Sequence, residues 1–400
     1  MKEDKKKIVV INSGSSSVKF QLIEFPEGKT LIKGLCDAIG HEHSKIVFEC
    51  CGMKKKDDAK PKNHEEAIRE VLKILLNEGI INSLNELYGI GHRVVHGGEV
   101  FKEPSIINKR LIQKVEELNR LAPLHNPPNV LGMKILKEIA PEVKQVAVFD
   151  TGFHSSMPKQ SYLYGLPMKL YEEHGIRRFG FHGTNHQYVS QKTAELMHQD
   201  IKELKIISCH LGNGASICAI KNGKSIDTSM GFTPLEGLVM GTRCGDIDPA
   251  IPLFLLDEGY SKEDANRILN KESGLLGLSG ISSDMRIVKE NALKGNENAL
   301  TARAVYAYRI KKYIGSYIAS MNGVDAIVFT GGIGENEPLI REQILSELDN
   351  LGIKIDKNKN LKNSQEISAD DSSVRIFIVE ANEELMIAIE TLRIIEEEKE

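Results

Sequence analysis

The feature that most constrains this chain is a pattern made twice: an apolar strand, a glycine turn and a strand meander. Ile8 to Asn12 is an apolar run, a Gly/Ser loop follows, and Val18 to Phe25 resumes with strand composition before the turn Pro26 to Gly28 and a further short strand. Ile206 to Leu211 is again apolar, Gly212-Asn213-Gly214 turns the chain, Ala215 to Ile220 forms a strand, and Asn222-Gly223 signals a hairpin into Lys224 to Asp227. Superposing Ile8 on Ile206 places Gly14 on Gly212, a shift of 198 residues in a chain of 400. So long a period excludes a solenoid and points to duplication of a whole domain. Helical periodicity over Glu65 to Asn77, Lys109 to Leu121 and Val130 to Ile139 in one half, and Ala299 to Met321 in the other, predicts an α/β domain made twice, with a cleft between the copies. Each half also has a later buried strand ending in glycine, Gln145 to Thr151 and Ala326 to Thr330, read as equivalents. The tail adds a strand over Val374 to Val379 and an amphipathic helix over Glu383 to Glu397, expected to return to the first domain. The expected boundaries are residues 1–152 plus 384–400, and 153–383.

Charge and cysteine usage narrow the function. With 52 basic and 56 acidic side chains the net charge is −4, which gives no general electrostatic reason to bind nucleic acid or an anionic membrane. Apolar runs are far shorter than the roughly 20 residues of a membrane span. Lys2 to Lys7 reads as a solvated tail and no secretion signal, so a cytoplasmic protein is expected. Six cysteines without CxxC spacing read as reduced thiols, and no HExxH pattern appears among 12 histidines. The charge run Lys54 to Lys62 reads as a mobile loop.

Three glycine loops could cradle phosphate. Asn12 to Lys19 offers small residues, amides, hydroxyls and a lysine, although it is no P-loop, because GK[ST] is absent and a strand follows. His210 to Gly214 is the second. Gly331 to Asn336 is the third, read as a turn that delivers a helix starting near Pro338 to an anion. Singly each is weak evidence; at equivalent places in a duplicated frame they reinforce one another. Arg93 and Arg243 lie among glycines, where a guanidinium can grip a carboxylate or phosphate, or else pair with a neighbour such as Asp246. His182 precedes a helix start and could donate to a phosphoryl group or serve the backbone; His125 sits in a rigid proline setting. Asp150 ends a strand, where α/β folds place functional groups. Asn12, Asp150 and Glu383 offer oxygens suited to Mg²⁺, although spacing alone does not gather them.

The segments INSGSSSVKF, GHRVVHGG, APLHNPPN, VFDTGFH, RRFGFHGTNH, HLGNGAS, DTSMGFTPLEGLVMGTRCGDIDP, SGISSDMR, FTGGIGEN and ANEEL together resemble the acetate kinase family, in order and over almost the whole chain. That family belongs with sugar kinases, heat-shock chaperones and actin, so the resemblance implies duplicated actin-like, ribonuclease H-like domains with a nucleotide cleft. It implies Mg²⁺, with Mn²⁺ as substitute, at Asn12 and Glu383, and Lys19 near the nucleotide phosphates. His210, Leu211, Gly212, Asn213, Gly214, Asp284, Met285, Arg286, Gly332, Ile333, Gly334, Glu335 and Asn336 would line the ATP/ADP site. Arg93 and Arg243 would bind carboxylate and phosphoryl group, His182 would stabilise the transition state, and Asp150 is the active-site aspartate. Val95, Leu124, Phe181 and Pro234 match the pocket for the methyl group. Met285 departs from the phenylalanine of many relatives. The implied reaction is reversible in-line transfer between ATP and acetate, giving acetyl phosphate and ADP, by a homodimer. A propionate or butyrate kinase on the same frame is the nearest rival, since one methylene changes discrimination by only about 1 to 3 kcal/mol. A non-catalytic, nucleotide-driven binding protein of the actin and chaperone class is the rival of another kind.

Overall fold

The computed structural model describes residues 5–399; the tail read over Lys2 to Lys7 lies, as far as Asp4, outside them. The chain separates into two units, one holding the residues up to Phe153 and from Asn382 onward, the other His154–Ala381.

The first unit carries an eight-stranded sheet. Its strands are β1 (Lys6–Ser13), β2 (Val18–Phe25), β3 (Lys29–Asp37), β4 (Lys45–Cys50), β5 (Met53–Asp57), β6 (Leu87–Val94), β7 (Ser105–Ile106) and β8 (Gln145–Phe149). They run in the order β5-β4-β3-β2-β1-β6-β8-β7. The strands from β1 to β5 form an antiparallel meander, whereas β6 is parallel to both β1 and β8. Alternation along β1 explains its unbroken apolar run, because each face needs cover. Val9 and Ile11 pack with Ile68, Val71, Leu75 and Leu136 from the helices His64–Asn77 and Asn126–Ile139. Ile8 and Val10 pack with Ile387, Ala388 and Ile395 of the helix Glu383–Glu397.

The second unit contains β9 (Lys205–Leu211), β10 (Ala215–Lys221), β11 (Lys224–Thr228), β12 (Ala326–Thr330) and β13 (Arg375–Ile378), in the order β11-β10-β9-β12-β13. Here β9, β10 and β11 form the antiparallel meander, and β12 lies parallel between β9 and β13. The helix Gly183–Met197 packs on β9 and β12. The helix Glu297–Met321 presents Ala302, Tyr306, Ile310, Ile314, Tyr317 and Met321 as a buried stripe at near four-residue spacing. Both units therefore share one core, a three-strand meander whose first strand is followed sideways by two parallel strands. This is the duplicated actin-like α/β frame.

Three expectations are corrected. By sheet position β12 corresponds to β6 and β13 to β8, so the two glycine-ended strands are not equivalents. Gly331 to Asn336 is not a turn but a one-turn helix, Gly331–Asn336, followed by the helix Pro338–Leu345; Gly331, with φ +78°, starts it. Finally, the run from Lys54 begins as the edge strand β5, with Lys55 paired to Glu78 at 2.6 Å. An edge strand accepts a lysine row because its outer rim faces water, and the charges discourage further pairing.

Candidate active site

In the first unit the functional side chains collect at the C-terminal ends of parallel strands, where backbone groups end and helices begin. Asn12 and Arg93 are the penultimate residues of β1 and β6, and Asp150 follows β8 directly. Arg93 donates to Asp150 from Nη2 to Oδ2 at 2.6 Å and from Nε to both carboxylate oxygens at 3.1 Å. Its Nε also lies 3.9 Å from Glu383 Oε2. Burial opposes the Arg93 charge, but Asp150 and Glu383 outweigh that and raise its pKa above the ordinary value. Nη1 is engaged by no hydrogen bond of the described residues and offers two donors to an incoming anion. Glu383 opens the C-terminal helix, whose N-cap Asn382 accepts from Leu385 N. Lys19 is tied to Glu384 at 2.5 Å, an acid that motif reading did not single out.

Two further residues that were not singled out hold these strand ends together. Asn129 accepts from Val95 N at 3.1 Å and donates to Ser13 O at 2.8 Å, joining the segment after β6 to the end of β1. Asn126 makes the same two-way bond with the main chain of His96, at 3.1 Å each way. Both are buried on the helix that His125 caps. Their signal lay in APLHNPPN, but only the fold shows which backbone groups they serve. Val95 is buried, whereas Leu124 is 70% exposed.

The second unit gathers the other group. Arg243 donates from Nη1 to Pro234 O at 3.0 Å and approaches Met240 Sδ at 3.4 Å. No carboxylate of the described residues lies within ion-pair distance of it; Asp246 instead accepts from Tyr313 and from Gly237 N. Burial alone lowers its pKa, so this is a part-buried cation awaiting an anion. A Cβ on Gly214 would stand 3.6 Å from both Arg243 Nη atoms and 3.8 Å from His182 Cε1, which places loop, guanidinium and imidazole side by side. His182 holds left-handed backbone, φ +57°, at the head of the helix Gly183–Met197. Such strain in a non-glycine residue costs about 1 to 3 kcal/mol and fixes the side chain's direction. Its ring stacks on His210 at 4.2 Å, and His210 Nδ1 accepts from Asn185. Phe181 is buried, its carbonyl bonded to His154.

A cavity of about 600 Å³ lies beside this group, a size that suits a nucleotide. Gly212, Asn213, Asp284, Met285, Arg286, Gly332, Ile333 and Asn336 line it, all expected, together with Ser283 and Glu337, which were not. Glu337 is buried against Lys289 at 3.0 Å and Arg303 at 3.6 Å. Met285 lies mostly buried, its sulfur 3.5 Å from Arg303 Nη1. Arg286 is exposed and paired with the helix-capping Asp284. Leu211 and Gly334 are buried beneath, and Glu335 accepts from Gly331 N and Ala381 N, which fixes the loop.

The chain is 52% identical to the acetate kinase of Thermotoga maritima over 398 residues, covering 98% of this chain and 99% of that one. The crystal structure of Porphyromonas gingivalis acetate kinase superposes with a TM-score of 0.93 at 43% identity, covering 97% and 99% of the two chains. A propionate kinase from Francisella tularensis superposes with 0.91 at 44% identity, covering 97% and 99%. The model of the acetokinase family matches residues 7–389, and the chain belongs to that family.

Proposed function

We propose that the protein is an acetate kinase, transferring the γ-phosphoryl group of ATP directly and reversibly to acetate to give acetyl phosphate and ADP. The observation that carries this reading is Arg243, a part-buried guanidinium with no carboxylate partner among the described residues, set beside a glycine loop and His182. Acetate, with an intrinsic pKa near that of a side-chain carboxyl, about 4.3, is ionised at neutral pH and needs no general base. The barrier is the approach of one anion to another. Arg93 Nη1 would hold the acetate carboxylate, with Asp150 fixing the guanidinium rather than taking a proton. Arg243 and His182 would meet the charge of the phosphoryl group in flight. Val95, Leu124, Phe181 and Pro234 would receive the methyl group. The cavity with its Gly212 and Gly332 loops, and Lys19, would take the nucleotide.

Mg²⁺, or Mn²⁺ in its place, suits the oxygen donors Asn12 and Glu383. No cluster of three or more acidic, histidine or cysteine side chains among the described residues would cage an ion. Two oxygen donors fit a cation that keeps several waters and shares substrate phosphates. Bound there, it would supply neutralisation of phosphate charge.

The expected homodimer is supported by the helix Ala250–Asp257, which buries none of its residues and exposes Leu253 by 63% and Phe254 by 60%. No helix of the described residues is long and apolar enough to cross a membrane, and the proposed place of action is the cytoplasm.

The deciding experiment incubates the protein with ATP, Mg²⁺ and acetate, propionate or butyrate, traps acyl phosphate with hydroxylamine and follows ADP. Acetate is expected to give the highest kcat/KM. Hydroxamate from none of the acids would remove the kinase reading, and preference for propionate would move it to the neighbouring substrate.

A further inference from the structure

Behind His182 runs a chain of hydrogen bonds through groups that no motif assigned. His182 Nδ1 lies 2.9 Å from Ser216 Oγ, Ser216 Oγ lies 2.8 Å from His186 Nε2, and His186 Nδ1 lies 2.8 Å from Ser208 Oγ. Ser208, Ser216 and His186 are all fully buried. Ser208 and Ser216 come from adjacent strands β9 and β10, and His186 from the helix that His182 heads. We propose that Ser208, His186 and Ser216 form a one-way relay that fixes the tautomer of His182, so that the imidazole in its neutral form carries its proton on Nε2.

The direction follows from counting protons. A neutral imidazole has one N–H and one acceptor nitrogen, and a serine has one O–H. Burial holds His186 neutral, well below its ordinary pKa. Among the described residues the hydroxyl of Ser208 has one hydrogen-bond partner, His186 Nδ1. If Ser208 donates to Nδ1, His186 must carry its proton on Nε2 and donate to Ser216, and Ser216 then donates to His182 Nδ1. Every proton finds an acceptor. In the reverse order His186 would donate to Ser208, leaving a buried hydroxyl proton with nothing to meet, the arrangement that proteins avoid. With Nδ1 occupied as an acceptor, the single proton of neutral His182 sits on Nε2. The neighbouring His210 is set alike by a different device, since the atom facing its Nδ1 at 2.8 Å is Asn185 Nδ2, a nitrogen that can only donate. In their neutral forms the two stacked imidazoles thus both carry the proton on Nε2. Ser216, His186 and Ser208 are positioning residues, and their effect on turnover rests on the kinase reading above.

The test has two arms. In protein labelled with ¹⁵N-histidine and free of substrate at pH 8, His182, identified by its loss in His182→Gln, is expected to show a pyrrole-type Nε2 and a pyridine-type Nδ1. Ser216→Ala is expected to give a mixture of tautomers. So is Ser208→Ala, although Ser208 lies two hydrogen bonds further from His182 and its loss leaves the Ser216 bond in place. In the kinetic arm Ser216→Ala lowers kcat roughly tenfold, the worth of about one neutral hydrogen bond, with KM for ATP and acid unchanged, and Ser216→Thr restores it. A wild-type His182 protonated on Nδ1, or tautomers unmoved by both alanine variants, would overturn the relay. The wild-type spectrum needs no variant to fold. It also stands apart from the reaction, because a correct spectrum with unchanged kcat would refute the role of His182 in turnover and leave the relay intact.

Discussion

Arg93 and Asp150 form a two-pronged ion pair across the neighbouring strands β6 and β8, with Nη2 to Oδ2 at 2.6 Å and Asp150 almost wholly buried. The pair orders one face of the guanidinium and leaves Nη1 outside it. Asp150→Ala is expected to cost about 3 kcal/mol in urea denaturation, because it leaves a part-buried cation with only the more distant Glu383 to meet it. Asp150→Asn keeps the shape but loosens the aim of Arg93, and kcat should fall on the order of 10²-fold. An alanine variant as stable as the parent would mean the pair is not what holds Arg93.

Arg243 makes the opposite case, a cation with no acid partner among the described residues. Arg243→Ala should lower kcat by about 10³ to 10⁵. Stability should stay within about 0.5 kcal/mol, since among the described residues only a carbonyl and a thioether bond it. Thermal melts beside single-turnover rates check both at once. A large drop in melting temperature would assign the residue to packing.

Gly331 and Gly332 should differ sharply. A Cβ on Gly331 would lie 2.8 Å from Leu211 O, and its φ of +78° suits glycine, whereas around Gly332 the space is open. Gly331→Ala is expected to destabilise by about 1 to 3 kcal/mol and weaken nucleotide binding in calorimetry. Gly332→Ala should melt like the parent. Equal effects would contradict the left-handed start of that short helix.

Three buried histidines tie stability to pH. Burial pushes His92, His96 and His154 each down to about 4, despite hydrogen bonds to Gln145 and Phe181 O that favour the charged forms of His92 and His154. Unfolded histidine titrates near 6.5, so between about pH 6.5 and 4 the unfolded chain holds more protons and stability falls with falling pH. Each group contributes up to about 1.4 kcal/mol per pH unit in that window and nothing above it. Urea melts at pH 8, 7, 6 and 5 should show a plateau and then a decline. A stability that rose on acidification below pH 6 would show these rings are charged in the fold.

Much of this was legible in the residues. The strands Val18–Phe25 and the helix Glu383–Glu397 announce themselves by composition and by period, and the glycine turns by residue type. The row Lys54 to Lys56 misled, because charge suggests solvent, and an edge strand also meets solvent on its open side. Gly331 to Asn336 misled because three glycines argue against a helix; Glu335, accepting from Gly331 N, supports one. Asn126, Asn129 and His186 stood inside quoted motifs, yet nothing local says that a side-chain amide will meet the main chain of His96 or Val95, or a ring meet two serines.

By itself the sequence determined the elements that depend on near neighbours: the apolar runs, the turns, the helix caps and the fact of duplication, all set by φ/ψ preference and by which faces need burial. Only the tertiary structure decided the sheet order and the partners within each site. It seated β12 beside β9, laid Arg93 against Asp150, 57 residues away, and left Arg243 without an acid among the described residues. Strand pairing and buried charge matching are choices among distant segments, made by the free energy of the whole packed unit, and no short stretch of chain encodes them alone.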